Sequence, residues 1–244
     1  MTTQDFSSGF DTLLNSYAVR VIESGGTDNP ATIELDEYEK SLFLTKAQQE
    51  IAIELYNGRN PLGESFEETE QLRRYLATLV IEAKPEMITN SSGTHIGMEG
   101  SNSYFFTLPD NVMFITYESV KLSDDEEDKC KASKTLEVKP VRQDEYHKIK
   151  QNPFRGANDR RALRLDLADG VIEIICKYNV AEYYIRYVRK VKPIILLDLD
   201  EDQSIEGERE EQGSELPDFL HQHILDMAVQ LAIQSRGYTN SNNK

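Results

Sequence analysis

Two histidines near the carboxyl end of the chain are the first residues whose chemistry could suit a metal site. His221 and His223 lie two residues apart in a segment that predicts a helix. At that spacing two helical side chains point about 200° away from each other, so the two imidazoles cannot bind the same ion. We therefore predict that both histidines are ordinary polar or interface residues.

A second candidate is the triplet Glu137-Val138-Lys139, which matches the E-x-K half of a signature found in metal-dependent nucleases. Such a site needs a further carboxylate to hold the metal ion, and Glu126 or Asp128 would have to supply it. A single E-x-K triplet is common by chance. A nuclease-like enzyme that uses Glu137 and Lys139 is therefore the alternative interpretation and not the leading one.

A run of aspartates at Asp198, Asp200 and Asp202 has the spacing that opens a calcium-binding loop. The sixth position is Gln203, where such loops have glycine, and the twelfth is Arg209, where they have glutamate. The motif therefore fails. The sequence also has no glycine-rich phosphate loop, nucleophile elbow, CxxC pair or HExxH motif. The leading interpretation thus includes no catalytic residue, no metal ligand and no cofactor.

A basic segment at residues 152–164 carries four arginines in an otherwise acidic chain. Arginine binds carboxylates and phosphates in a planar, two-pronged geometry, so these residues could meet an acidic surface of a partner. They could equally pair with carboxylates of this protein. Tyrosines further along the chain are more typical of sheet and interface packing than of a nucleobase platform. The predicted interface residues are Arg155, Arg160, Arg161, Arg164, Tyr183 and Tyr187.

The charge balance limits the possible partners. The chain has 244 residues, with 27 Lys plus Arg against 43 Asp plus Glu and a formal net charge of -16. This acidic excess argues against a protein that grips nucleic acid. Cys130 and Cys176 lie far apart in the sequence, which favours reduced thiols over a disulfide. The sequence contains neither a secretory signal at its start nor the roughly 20 apolar residues of a membrane span.

Helices are predicted at both ends of the chain. Apolar residues at helical spacing indicate an N-terminal helix over residues 6–21. Thr45 followed by Gln48 has the form of a capping box, so a second helix is predicted at residues 46–57, after a shorter one at 36–42. A third helix is predicted to start at Ser65, which has Glu68 three residues later.

The longest helix is predicted at residues 216–237, with Ser214 as its N-cap and Arg236-Gly237 as its end. Its apolar stripe is wider than that of a surface helix, which indicates neighbours on more than one side. We therefore predict that this stripe packs against the other helices in a bundle. The predicted core residues are Leu220, Ile224, Met227, Leu231, Ile51 and Leu76.

The middle of the chain has the alternating pattern of β-strands. Residues 103–122 predict a hairpin with its turn at 109–111, and Asp169-Gly170 predicts the turn of a second hairpin. Further elements are predicted in this region, namely strands at residues 136–141 and 181–190 and a short helix at 143–149.

These elements predict an α+β fold with helices at both ends and strands between them. A helical bundle domain would consist of residues 1–84 and 214–238, and an antiparallel β-rich insertion of residues 85–200. Residues 201–213 would form an acidic linker, and residues 239–244 a disordered tail.

Three segments together resemble a known group of virion proteins. They are LDEYEKSLFLTKAQQEIAIELYNG at residues 35–58, AEYYIRYVRKVKPIILLDL at 181–199 and ELPDFLHQHILDMAVQLAIQSRG at 215–237. In this order they resemble the neck or ring proteins, the head-to-tail connector components, of crAss-like tailed bacteriophages. The resemblance covers most of the chain and is weakest over residues 86–135.

The resemblance implies a structural virion protein without enzymatic activity. Such a protein would form a homo-oligomeric ring of about twelve copies beneath the portal, in contact with the portal protein and with neighbouring neck or tail ring proteins. Double-stranded DNA would pass through its lumen without sequence-specific binding. Assembly would take place in the host cytoplasm without a membrane. The alternative is a metal-dependent phage enzyme that uses Glu137 and Lys139.

The acidic charge would suit a channel through which DNA slides, because carboxylates repel phosphate. We expect part of this charge, in residues 124–128 or 198–211, to face the channel or its mouth. The alternative is that these runs are solvated, disordered loops.

Overall fold

The structure is a computed structural model that describes residues 1–23, 35–59, 69–88, 97, 102–123 and 135–235. The chain divides into two compact units, one of Met1–Leu79 with Val191–Lys244 and one of Val80–Lys190. Long helices dominate the first unit and strands the second. The predicted α+β class is confirmed.

Several sequence predictions concern residues outside the described ranges. They are the helix start at Ser65, the acidic run at 124–128 with Glu126 and Asp128, the thiol of Cys130, the helix end at Arg236-Gly237 and the tail at 239–244.

Three long helices contact one another in the first unit, and none of the described helices is long and apolar enough to cross a membrane. The helices of the described chain are α1 (Thr3–Glu23), α2 (Glu37–Asn57), α3 (Glu70–Tyr75), α4 (Tyr146–Lys150) and α5 (Asp218–Ser235). The mutual contacts join α1, α2 and α5, and a 3-10 turn at Ala77–Leu79 follows α3. Helix α4 belongs to the second unit.

Helix α2 is one continuous helix whose N-cap is Asp36. The backbone amide of Glu39 donates to Asp36 Oδ1 at 2.6 Å, and the Glu39 carboxylate accepts from the Asp36 amide at 3.4 Å. At the other end Gly58 adopts a left-handed conformation with φ of 73°, which favours glycine. The predicted helix start at Thr45 is wrong, because the Thr45 hydroxyl bonds to the backbone of Ile194 instead of to its own helix.

Helix α5 begins at Asp218, and the prediction of Ser214 as its N-cap is wrong. The Ser214 hydroxyl donates to the side chain of Gln48 and accepts from the Leu216 amide. The buried face of α5 consists of Leu220, His221, Ile224, Leu225, Ala228, Val229 and Ala232.

Of the predicted core residues, those buried in the first unit are Leu220, Ile224, Ile51 and Leu76. Met227 and Leu231 are half-buried, because they lie at the edge of the stripe that α5 buries.

The second unit contains an eight-stranded sheet, counted over the described residues. Its strands are β1 (Val80–Ala83), β2 (Glu86–Ile88), β3 (Asn102–Thr107), β4 (Val112–Leu122), β5 (Thr135–Pro140), β6 (Arg161–Asp166), β7 (Val171–Cys176) and β8 (Val180–Arg189). Their order in the sheet is β1-β8-β4-β5-β6-β7-β3-β2. Strands β5 and β6 run parallel, and the other neighbouring pairs run antiparallel.

The sheet curls so that its two ends lie close together. Strands β1 and β2 are at opposite ends of the sheet, yet only Lys84 and Pro85 separate them along the chain. Because so short a connection spans at most about 11 Å, the sheet must bend round on itself. Its concave side buries a core that includes Phe106, Val120, Leu136, Ile172, Ile174 and Tyr183. Helix α4 lies on the other side of β6 and β7, where Tyr146 packs with Leu163, Leu165 and Ile175.

The predicted hairpin at residues 103–122 is wrong in its pairing, although both of its strands exist. Strand β3 pairs with β2 and β7, whereas β4 pairs with β5 and β8. Hydrogen bonds at the connection explain this, because Leu108 donates to the carbonyl of Gly170 and Lys190 donates to that of Asn111. The predicted hairpin of β6 and β7 is confirmed, with Asp169 and Gly170 at φ of 57° and 70°.

Candidate interaction surfaces

Three of the six predicted interface residues lie in the interior of the curled sheet. Arg164 is on the same side of β6 as the core residue Ala162, because side chains alternate along a strand. Its Nη1 donates to Glu118 Oε1 at 2.7 Å, and the hydroxyl of Tyr183 donates to Glu118 Oε2 at 2.7 Å. Tyr187 is also buried and donates to Asn111 Oδ1 at 2.9 Å. Arg164, Tyr183 and Tyr187 are therefore covered by their own chain.

The electrostatics of this cluster are those of a structural ion pair. Burial raises the pKa of Glu118 above its ordinary value, and the nearby Arg164 guanidinium and the Tyr183 hydrogen bond oppose that shift. Burial, together with the Glu118 carboxylate, raises the pKa of Tyr183. The Nε atom of Arg164 also lies 3.0 Å from Asp166 Oδ1, which makes a second ion pair. A buried carboxylate with an arginine and a hydroxyl as donors is satisfied, and it holds β4, β6 and β8 together.

In the described part of the chain the residues considered for metal binding do not lie together in one site. Glu137 and Lys139 stand on the outer side of β5, about half exposed, and pair with each other. His221 is buried, with its Nε2 bonded to the Leu216 carbonyl at 2.9 Å, whereas His223 is exposed. Within the described ranges no group of three or more His, Cys, Asp or Glu side chains could hold a metal ion.

A hydrogen-bonded loop between α4 and β6 presents an aromatic side chain to solvent. Phe154 is 85% exposed, more than any other large apolar residue in the described part of the chain. The Phe154 amide donates to Asn152 Oδ1 at 2.9 Å, and the Phe154 carbonyl accepts from Arg161 Nη1 at 3.1 Å. A Cβ atom on the buried Gly156 would lie 3.2 Å from the Asn152 carbonyl oxygen, so the turn is tightly closed. We call residues 152–156 the Phe154 loop.

The other three predicted interface residues lie in or beside the Phe154 loop. Arg155 and Arg160 are exposed, and within the described chain neither guanidinium has a hydrogen-bond or ion-pair partner. Arg161 is half-buried and supports the loop through the carbonyl of Phe154. The sequence identified these arginines but not the exposure of Phe154, for which the neighbouring proline and glycine were the available signal.

A second surface feature is a groove beside α2 in the first unit. It has a volume of about 510 Å3 and lies between α2 and the turn at residues 204–206. Leu42, Phe43 and Ile205 form its apolar part, and Leu42 is 41% exposed. The carboxylates of Glu39 and Glu206 stand at its edge. We call this feature the α2 groove.

Polar side chains on α2 hold the segment at residues 191–196 in place. Gln48 donates to the Lys192 carbonyl at 2.8 Å, the Thr45 hydroxyl accepts from the Ile194 amide at 3.0 Å, and the Ser41 hydroxyl accepts from the Leu196 amide at 3.0 Å. On the other side of the segment Ile195 exchanges two backbone hydrogen bonds with Gln212, each of 2.9 Å. The sequence signal was the spacing of Ser41, Thr45 and Gln48 along one helix face.

Comparison with known proteins identifies the family of this chain. The model of the family described as phage tail ring protein 3/4 matches residues 1–244. The chain belongs to this family. It is also 44% identical over 237 residues to a protein named Ring protein 3 of Bacteroides phage crAss001, an alignment that covers 97% of this chain and 96% of the relative.

A second relative in the same phage, named Ring protein 4/5, is 25% identical over 241 residues, which is 95% of this chain and 92% of the relative. The resemblance to ring proteins of crAss-like phages is therefore confirmed. These names indicate a structural ring protein of the phage tail or neck, a type of protein that is usually not an enzyme. Within the described residues the Phe154 loop and the α2 groove are the candidate functional sites.

Proposed function

We propose that this chain forms a closed ring of about twelve identical subunits in the neck of the virion, between the portal and the tail. Double-stranded DNA passes through the lumen of this ring during packaging and ejection. The observation that carries the proposal is the match of the ring protein family to the full length of the chain. The faces of the ring contact the portal protein and neighbouring ring proteins, and the ring is built in the host cytoplasm.

A ring of identical subunits repeats one heterologous contact, so every subunit needs two different surfaces that fit each other. The Phe154 loop with Arg155 and Arg160 is suited to be one of them, since exposed aromatic and arginine side chains are enriched at interfaces. We assign these residues and Arg161 to the subunit contact. Arg164, Tyr183 and Tyr187 have no part in it, because their own chain buries them.

The passage of DNA is the reason for the acidic surface. Each phosphate that a lysine or arginine neutralises adds affinity through counterion release, which would slow sliding. Carboxylates at the lumen repel the duplex, although salt damps this repulsion within about 10 Å. The carboxylates of residues 198–211 are exposed, and we place those that do not line the α2 groove at the lumen or its mouth.

Electron microscopy of the purified protein and of virions tests the proposal. We expect rings of one size in both samples, with carboxylates along a lumen wide enough for a DNA duplex. A subunit that occupies no ring in the virion would refute the proposed function. A lumen lined with lysine and arginine would refute the account of DNA passage and leave the ring intact.

A further inference from the structure

We propose that Phe154 of one subunit inserts into the α2 groove of the next subunit around the ring. This inference rests on the proposed ring and specifies which two surfaces make its repeating contact. Its partner is a second copy of this chain, because an exposed phenyl ring suits a groove with apolar walls and the two regions carry opposite charge.

The Phe154 loop has the properties of an anchor. Its aromatic ring is 85% exposed, and the turn beneath it is fixed by hydrogen bonds from the amides of Phe154, Arg155 and Gly156 to Asn152. A loop backbone that is already held in place loses little conformational freedom on binding. Buried aromatic anchors with an arginine beside them provide most of the binding energy at many protein interfaces.

The α2 groove has the properties of the matching pocket. Its floor contains Ile205, which is 3% exposed, and Leu42 and Phe43 provide apolar walls. Its volume of about 510 Å3 leaves room for a phenyl ring and for part of the adjoining loop. The turn that forms one wall is closed by paired hydrogen bonds of 3.0 Å between the backbones of Ile205 and Glu208.

The charges of the two regions are opposite. Residues 146–161, which include the Phe154 loop, contain five lysines and arginines and one acidic residue. Residues 198–211, of which Ser204, Ile205 and Glu206 line the α2 groove, contain eight acidic residues and one arginine. At the groove itself Glu39 and Glu206 outnumber the one lysine, Lys46. Opposite potentials guide encounter and fix the orientation of the partners. In the proposed contact we expect Arg155, beside the anchor, to pair with Glu206, whose carboxylate accepts from Gln49 within its own chain.

The two surfaces are different patches of one chain, so the contact is heterologous. Each subunit can then donate one anchor and accept one, and the contact is repeated from subunit to subunit until a ring closes. A symmetric dimer would instead use the same patch on both chains. This difference makes the direction of the contact testable by cross-linking.

The experiment uses full-length protein with Cys130 replaced by serine, so that buried Cys176 is the remaining native thiol. Arg155→Cys places a thiol beside the anchor, and Gln49→Cys places one at the groove. After mild oxidation we expect the double variant to give a ladder of covalent oligomers. A mixture of the two single variants should give covalent dimers, and either single variant alone should give none.

A second measurement tests the energetic role of Phe154. Phe154→Ala should raise the subunit concentration at which rings form by on the order of thirtyfold. Tyr117→Ala is the matched control, because Tyr117 is an aromatic residue of the same unit that is 52% exposed, and it should leave assembly unchanged.

Rings that form without the cross-link and tolerate Phe154→Ala would overturn this contact while leaving the proposed ring in place. Wild-type protein that forms no ring under any of these conditions, and is absent from rings in the virion, would overturn both.

Discussion

The hydroxyl of Thr45 bonds both backbone groups of Ile194, accepting from its amide at 3.0 Å and donating to its carbonyl at 3.3 Å. Both residues are buried, so no solvent replaces the hydroxyl if it is removed. A buried backbone group that loses its partner costs about 1–3 kcal/mol. A single side chain in the middle of α2 thus satisfies a chain segment that is remote in sequence.

Thr45→Val should therefore lower the free energy of unfolding by about 2 kcal/mol, since valine keeps the shape and lacks the hydroxyl. Urea denaturation measures this change. Thr45→Ser retains the hydroxyl and should recover most of the loss. Thr12→Val is the control, because the exposed Thr12 hydroxyl bonds only within its own helix, and its effect should stay within about 0.5 kcal/mol. Equal effects at Thr45 and Thr12 would contradict this interpretation.

Ile224 and Leu231 on α5 should differ in their contribution to stability. Ile224 is fully buried, so Ile224→Ala should cost about 2–5 kcal/mol through lost burial and the cavity left behind. Leu231 is half-buried, and Leu231→Ala should cost clearly less because the site stays partly solvated. Thermal or urea unfolding of the isolated subunit compares the two. A larger loss at Leu231 would show that the buried stripe of α5 is rotated from the one described.

Arg164→Met should destabilise the second unit by about 3–5 kcal/mol, because it leaves Glu118 buried without its charged partner. Arg142→Met removes an exposed pair with Asp144 and should change stability by less than about 0.5 kcal/mol.

The loss of unfolding free energy caused by Arg164→Met should also depend on pH. Burial raises the native pKa of Glu118 above its unfolded value, so stability falls as pH rises through the native pKa. Removal of Arg164 removes an effect that lowers the pKa of Glu118, so the native pKa rises further and stability falls over a wider pH range. The loss should therefore be smaller at acidic than at neutral pH. A loss that does not change with pH would show that Arg164 does not oppose the raised pKa of Glu118.

Glu182 should remain ionised in unusually acidic solution. Hydrogen bonds from the hydroxyl of Tyr184 and from Lys84 at 3.1 Å lower the pKa of Glu182 from 4.5 to about 2. A lowered carboxyl pKa stabilises the native state above the unfolded pKa, and this contribution is lost as pH falls from about 4.5 towards about 2. NMR titration of the Glu182 carboxyl carbon measures the value directly.

Lys84→Met removes one of these donors and should raise the pKa of Glu182. Lys148→Met changes an exposed lysine of α4 and serves as the matched control, which should leave that pKa unchanged. An unchanged pKa in Lys84→Met would leave Tyr184 as the main cause.

The features that could be predicted from the sequence are those with a local cause. Asp169-Gly170 forms the expected turn because both residues accept positive φ, whatever the rest of the sheet does. The α+β class was likewise predictable, because the spacing of apolar residues changes from a helical pattern at the ends of the chain to an alternating one in the middle. The pairing of β3 and β4 could not be read in this way, because Leu108 and Asn111 bond to residues far along the chain.

The roles of Thr45 and Phe154 could not be predicted, because the sequence around each residue is compatible with more than one structure. Thr45 and Gln48 have the spacing of a helix cap, yet the same hydroxyl and amide can serve a distant backbone, and only the fold decides between these uses. Phe154 is an apolar residue of a type found in cores, yet the proline and glycine beside it are typical of an exposed turn. Its exposure follows from the turn closed at Gly156, a three-dimensional property of the loop.

The short link of Lys84 and Pro85 between the two ends of the sheet also dictates an order of events during folding. The β6–β7 hairpin closes a short loop and can form early, whereas β1 must find β8 at the far end of the unit's sequence. Closing a longer loop costs more chain entropy, which slows such pairings. Strand β2 pairs with the nearby β3 and can form early, so β1 should be the strand that docks last, joined to that pair by the link. In a nascent chain the edge of β1 that pairs with β8 would therefore stay exposed until β8 had left the ribosome.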